Sequence, residues 1–302
     1  RPVATLSGGE LRVKNLEIIK PVVKLRAPAA APGEQKPEEI SPPETGSSQG
    51  FSFRLDKFRL EQGTFSFEQP DRPLSLDLSG IKATVDFDQN SRFHRAALTG
   101  GSGFLVLGQG KLNIKELEIR AAFDQQTIEL ERFSVSTDHS LLGISGTINN
   151  YFENPGLNLK TTGHLGLAEV ALLLSPAEKY AGQLNWNLAI AGTPARPVVT
   201  GNISGRQLKI YGLAPVELNL DITPGSDASH LVKAKAGLGA GQLFLESHLP
   251  PGLKGTWQAS LDLRQLDLRL LQAFIPDFPV ELQSAISGLI ELEAGELAVA
   301  EA

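Results

Sequence analysis

Residues 182–222, GQLNWNLAIAGTPARPVVTGNISGRQLKIYGLAPVELNLDI, decide the fold. The run opens with Leu184, Trp186, Leu188 and Ile190, one apolar residue at every second position. A turn is expected at Gly192-Thr193-Pro194-Ala195-Arg196-Pro197. A second run carries Val199, Gly201 and Ile203, shifts phase at Gly205 and resumes at Leu208 and Ile210. After Gly212, a third run places Val216, Leu218, Leu220 and Ile222 on one face. Successive side chains of a strand point to opposite faces, so this alternation predicts a sheet with one apolar side. Gln183, Asn185, Asn187, Glu217, Asn219 and Asp221 take the other side.

The same pattern spreads through most of the chain. Leu11, Val13, Ile18, Val23 and Leu25 give two short strands broken near Pro21. Residues 26–50 are rich in Ala, Pro, Glu and Ser with almost no large apolar side chain, so ordering them costs more than burial returns and a disordered insert is expected. Alternation resumes at Phe51, Phe53 and Leu55, then Phe58 and Leu60. Gly63 is expected to turn the chain into Phe65 and Phe67. Leu74, Leu76 and Leu78 follow, then Gly80, then Ile81, Ala83, Val85 and Phe87. Later strands centre on Leu105, Ile114, Ile119, Ile128, Val135, Ile144 and Leu157/Leu159. Turn residues recur about every ten positions, the spacing of a continuous antiparallel meander.

Helix is expected in two short places. Ala168–Leu174 stops before Pro176 and Leu266–Ile275 stops at Pro276, because the residue before proline disfavours helical dihedrals. Leu165-Gly166-Leu167 leads into the first and Leu266-Asp267-Leu268 into the second, and each is followed by a strand opened by glycine, Gly182 and Gly288. An internal repeat built from strands predicts an elongated array. The expected organisation is N-terminal strands at 1–25, the insert at 26–50, a β segment at 51–164, a repeat unit at 165–265 and the start of the next at 266–302.

The 302 residues include 41% hydrophobic and 21% charged side chains, ordinary for a folded chain. With 28 basic against 34 acidic residues and no basic block, nucleic acid is not an expected partner. Absence of cysteine excludes disulfides and thiolate metal sites. No apolar run approaches the roughly 18 residues of a membrane-spanning helix. The chain starts with Arg1 and ends inside an alternating run, so it reads as an excised piece whose targeting segment lies outside it.

Motifs for chemistry are weak. Leu6-Ser7-Gly8-Gly9-Glu10 looks like the signature loop of ABC-transporter ATPases, but no phosphate-binding loop accompanies it and the following residues alternate like a strand. A glycine turn is the expectation there. Gly237-Leu238-Gly239-Ala240-Gly241 lacks the βαβ setting of a dinucleotide site, and Gly143-Ile144-Ser145-Gly146 lacks the spacing of a nucleophile elbow. His94, His139, His164, His230 and His248 are scattered without metal-ligand spacing and are expected at surface or turn positions. Asp56, Asp77, Asp86, Asp88 and Asp221 fall on the polar phase or near turns and read as solvated. Neither an enzyme nor a cofactor or metal is expected. The apolar face is left to carry function, and periodicity alone does not separate a plain sandwich or barrel core from an open groove.

Resemblance favours the groove. Gly192-Thr193-Pro194-Ala195-Arg196-Pro197-Val198-Val199-Thr200-Gly201-Asn202-Ile203 resembles the recurring G-x-x-x-x-P-x-x-x-G-x-[IVL] element of the AsmA-like superfamily, TamB-type members in particular. Ile18-Ile19-Lys20-Pro21-Val22-Val23-Lys24-Leu25 before a Pro-rich insert is similar to the N-terminal repeat of these proteins. Phe58 to Phe67 and Leu78-Ser79-Gly80-Ile81 follow the same pattern, as does Leu266-Asp267-Leu268 with its run to Pro276. The resemblance implies an all-β fold, an antiparallel sheet curled into an open hydrophobic groove (a β-taco). It implies phospholipid transport between the inner and outer membranes of a Gram-negative envelope, in the periplasm, with an inner-membrane anchor outside this chain. The expected partners are phospholipid acyl chains and an outer-membrane barrel protein. On this reading Phe51, Phe53, Leu55, Leu74, Leu76, Leu78, Val85, Phe87, Leu157 and Leu159 line the groove. Leu184, Trp186, Leu188, Ile190, Val216, Leu218, Leu220, Ile222, Trp257 and Leu261 continue it. The alternatives are a scaffold for outer-membrane protein assembly, where an open edge templates a client strand, and a non-transport β-sandwich array or adhesin.

Overall fold

A computed structural model describes residues 4–7, 10–27, 52–69, 74–87, 93–108, 110–174, 180–210, 213–225, 229–250, 255–267 and 284–294. Nearly all of the insert expected to be disordered lies outside them. The fold is all-β: the described residues form 21 strands and one short helix, in a large open sheet rather than a closed barrel. The chain divides into two compact units, Arg1–Asp124 and Gln125–Ala302.

The first unit contains β1 (Ala4–Ser7), β2 (Glu10–Val13), β3 (Leu16–Ile19), β4 (Val22–Arg26), β5 (Ser52–Leu55) and β6 (Lys57–Gln69). It continues with β7 (Leu74–Phe87), β8 (His94–Gly100), β9 (Gly103–Leu107), β10 (Gly110–Ile114) and β11 (Glu116–Phe123). The expectation of a purely antiparallel meander needs correction here. β3 and β4 run parallel to β6, and β2 runs parallel to β5, so the sheet is mixed. Parallel neighbours need a long connection, and the stretch between β4 and β5 supplies it. Ser7 pairs with Glu10, and the glycine turn expected at Gly8-Gly9 lies outside the described residues.

Gly63, expected to turn the chain, sits inside a continuous strand, and so does Gly80. β6 passes through a register shift between Leu60 and Gly63, with Gln62 at φ 55°, and β7 passes through Gly80 at φ 67°. Lys20, at φ 55° between β3 and β4, lies opposite. Its N–H donates to Glu61 O at 2.8 Å, and Thr64 N–H donates to Pro21 O at 2.8 Å. Beyond β7, the break between β8 and β9 and that between β10 and β11 fall at the same level. Such irregularities bend a strand and raise its twist without ending its ladder. Aligned across the unit, they make one bend line.

The second unit contains β12 (Thr127–Ser136), β13 (Leu141–Asn149), β14 (Gly156–Gly166), α1 (Leu167–Leu174), β15 (Tyr180–Thr193) and β16 (Arg196–Ile210). It continues with β17 (Leu213–Pro224), β18 (His230–Leu238), β19 (Gly241–Leu249), β20 (Trp257–Asp267) and β21 (Ala285–Ala294). Each strand pairs antiparallel with the next, from β12 to β21. Among the described residues no ladder returns from β21 to β12, so the sheet stays open. Nine steps of about 4.8 Å make the ladder roughly 43 Å wide. The turn after Gly192 is tight, with Thr193 opposite Arg196. The phase shift at Gly205 is a bulge with Gln207 at φ 54°, and β20 repeats it between Leu263 and Leu266 with Gln265 at φ 50°. The second expected helix is corrected at its start, since Leu266 and Asp267 still pair with β21. A bulge, not a helical turn, accounts for the phase change there. Residues 268–283 lie outside the described set.

Candidate functional site

Residues directly opposite across an antiparallel ladder share a face. In the second unit this rule joins the apolar positions of ten strands. Leu159 faces Ile190, Ile190 faces Val199, and Trp186 faces Ile203. Ile203 faces Leu220, Leu220 faces Ala234, Ala234 faces Leu245, Leu245 faces Leu261, and Leu261 faces Ile290. The residues expected to line a groove in this unit, Leu157, Leu159, Leu184, Trp186, Leu188, Ile190, Val216, Leu218, Leu220, Ile222, Trp257 and Leu261, all fall on this one face. The opposite face is polar and exposed, with Asp221 opposite Lys233 and Lys233 bonded to Glu246 at 3.1 Å.

Burial along this face separates groove from sandwich. A second sheet packed on it would bury its aliphatic side chains. Instead Leu184, Trp186, Leu188, Ile190, Leu218, Leu220, Ile222 and Leu261 are only partly buried. Toward the β21 edge, Ile290 and Leu292 are 42% and 45% exposed. Curl and cross-strand neighbours shelter the face, and no second layer of the same unit covers it among the described residues.

One end is an exception. α1 begins at Leu167, one residue before the expected start, and packs Leu167 against Leu208 and Val216. Leu208 is completely buried. Glu169, itself 4% exposed, pins the helix to the β12–β13 turn. Its carboxylate accepts from Thr137 Oγ1 at 2.7 Å, from His139 N–H at 2.8 Å and from Ser140 Oγ. Burial pushes the Glu169 carboxyl up, but the bonds from Ser140, Thr137 and His139, with the charge of His139, outweigh it and hold it below its ordinary value.

The apolar face carries three buried polar groups that periodicity did not reveal, Thr161, Ser247 and His230. Thr161 Oγ1 accepts from Trp186 Nε1–H at 3.0 Å. That bond lays the indole over Gly163, where a Cβ would come within 2.5 Å of the ring. Ser247 Oγ donates to Gln258 O at 3.1 Å. His230 is the correction to the expectation of surface histidines: it is 9% exposed at the start of β18. The β16–β17 ladder stops at Gly201 opposite Ile222, and His230 Nε2 accepts from Val199 N–H at 2.8 Å beyond that stop. A lone histidine has no periodic signature, so only its contacts disclose this role. At the same end of the face, Trp257 Nε1 is buried without a partner among the described residues.

The first unit has its own apolar face. Leu74, Leu76 and Leu78 lie opposite Gln69, Phe67 and Phe65, and Val85 lies opposite Phe58. Phe87 and Phe123 flank His94, with ring centroids 4.9 and 5.4 Å away. Phe53 and Leu55, expected on the same surface, belong to the separate three-stranded sheet β1–β2–β5, and Phe51 lies outside the described residues. Their alternation is real, but pattern alone does not say which sheet a strand joins. Asp56, read as solvated, bonds Arg12 at 2.8 Å, and Asp77 accepts from Ser66 Oγ at 2.6 Å.

Set against known protein families, curated proteins and solved structures, the chain matches none of them. The resemblance to AsmA-like proteins therefore rests on the quoted motifs alone. Among the described residues no group of three or more His, Asp or Glu is placed to hold a metal, and no helix is long and apolar enough to cross a membrane.

Proposed function

We propose that the apolar face of the second unit is a conduit for phospholipid acyl chains between the membranes of a Gram-negative envelope. The observation that carries this reading is the continuous, partly exposed apolar surface that the register assembles across β12 to β21. Burying one methylene gains about 0.8 kcal/mol, so a chain of about 15 gains on the order of 12 kcal/mol. Crossing water forfeits that gain. A trough without a covering layer keeps it, and because the attraction is non-directional a chain slides between equivalent sites. The polar headgroup stays on the open side, in water. Placement in the periplasm follows from the family resemblance.

The test is face-specific. A photoreactive amino acid at Leu220 should capture phospholipid in cells, while the same probe at Asn219, its neighbour on the polar face, should not. Equal capture at both positions would contradict the proposal. A second reading, a scaffold for outer-membrane protein assembly, is favoured by the exposed apolar side chains of β21, where Leu289 and Leu292 are 63% and 45% exposed. Capture of β-barrel precursors by a probe at Leu289 would support it.

A further inference from the structure

At the end of the face away from α1, a cavity of about 230 Å³ is lined by Pro197, Val199, Ile222, Val232, Leu249 and Pro250, with His230 as the only ionisable wall among the described residues. Roughly eight groups of water size fit such a volume. His230 Nε2 is occupied by the Val199 N–H, so the neutral ring carries its proton on Nδ1. Among the described residues no acceptor takes that proton, and although the residue is nine-tenths buried, Nδ1 is not one of the sealed atoms left without a partner, so an incoming oxygen can reach it. Apolar walls with one placed donor are the composition of a small-ligand site. The nearby Trp257 Nε1–H, also without a partner, raises the excess of donors at this end.

We infer that this cavity is a discrete binding site for an acyl group: about eight carbons enter the apolar walls and an acyl oxygen accepts from His230 Nδ1–H. The site deepens the conduit reading and rests on it, adding a polar anchor to a surface otherwise uniform along its length. A free fatty acid offers its carboxylate and a glycerolipid offers its ester carbonyl. Both present the same acceptor to the same donor. Octyltrimethylammonium has the same chain and no acceptor.

The experiment follows the His230 ring nitrogens and the Val199 and Val232 methyl groups by NMR in the intact chain while octanoate, methyl octanoate or octyltrimethylammonium is added. Octanoate or the methyl ester should shift His230 Nδ1 and both methyl groups, and whichever binds tighter identifies the source of the acyl group. Octyltrimethylammonium should bind at least tenfold more weakly. His230→Phe, which keeps the ring volume and removes the donor, should weaken binding of the acyl probes about tenfold. Because that variant also releases the Val199 N–H, Val232→Trp serves as a second one: it fills the cavity, leaves His230 in place and should abolish the shifts of the Val199 methyl groups. Equal binding of all three probes, or an unperturbed His230 ring at saturation, would overturn the site. Lipid capture at Leu220 with an unperturbed His230 would remove this inference and leave the conduit standing.

Discussion

Leu208 and Leu220 are the same residue type on one face, yet they sit in different surroundings. Leu208 is fully buried under α1, whereas Leu220 is only partly buried on the open face. Leu208→Ala should therefore cost about 2–5 kcal/mol, and Leu220→Ala about 1 kcal/mol. Urea denaturation of the two variants measures the difference, and similar costs would mean that Leu220 is covered after all. Lipid capture by a photoreactive probe at Leu218, on the same face, should hardly change in Leu220→Ala, since its neighbours offer equivalent contacts. Glu169 gives a pH signature at the same scale. Its folded-state carboxyl titrates below the ordinary value of 4.5, so near that pH the unfolded chain binds more protons. The stability Glu169 contributes is full above 4.5 and is lost as pH falls through the depressed value. Glu169→Gln should lower stability at pH 7 and flatten its decline in acid, as thermal melts at pH 7 and pH 3.5 would record. An unchanged acid slope would show that the buried carboxylate is not the titrating group.

At the scale of elements, the bulges give the sheet its curl. Gln207 and Gln265 occupy the left-handed region, at φ 54° and 50°, which is costly for branched side chains. Gln207→Val should destabilise by about 1–2 kcal/mol while Gln207→Gly should be near neutral. A valine variant as stable as the parent would mean that β16 runs straight. The bulge in β16 was legible because apolar positions jump from Ile203 and Gly205 to Leu208, out of phase by one. The same jump in β20, from Leu263 to Leu266, is a bulge as well, whereas the run up to Pro276 points to a helix starting at Leu266, because a proline stop marks where a helix ends but not where it begins. Parallel pairing of β3 and β4 with β6 was not legible: a strand's alternation is the same whichever way its neighbour runs. The groove face of the second unit was legible almost entirely, because register carries each strand's local pattern into the next. His230 was not, because its place depends on where the β16–β17 ladder stops.

For the molecule as a whole, a lipid can slide along the apolar face of the second unit only if that face is open. Leu188, on that face opposite Thr161 and Gly201, is the position that decides. A carboxylate placed in an open trough still reaches water, whereas one sealed between two sheets is desolvated at a cost of several kcal/mol, enough to unfold a marginal fold. The decisive measurement combines circular dichroism of Leu188→Asp with phospholipid capture by a photoreactive probe at Leu220. An open face gives a strand spectrum like that of the parent and loss of capture. An unfolded Leu188→Asp, or capture that persists beside the new charge, would contradict it.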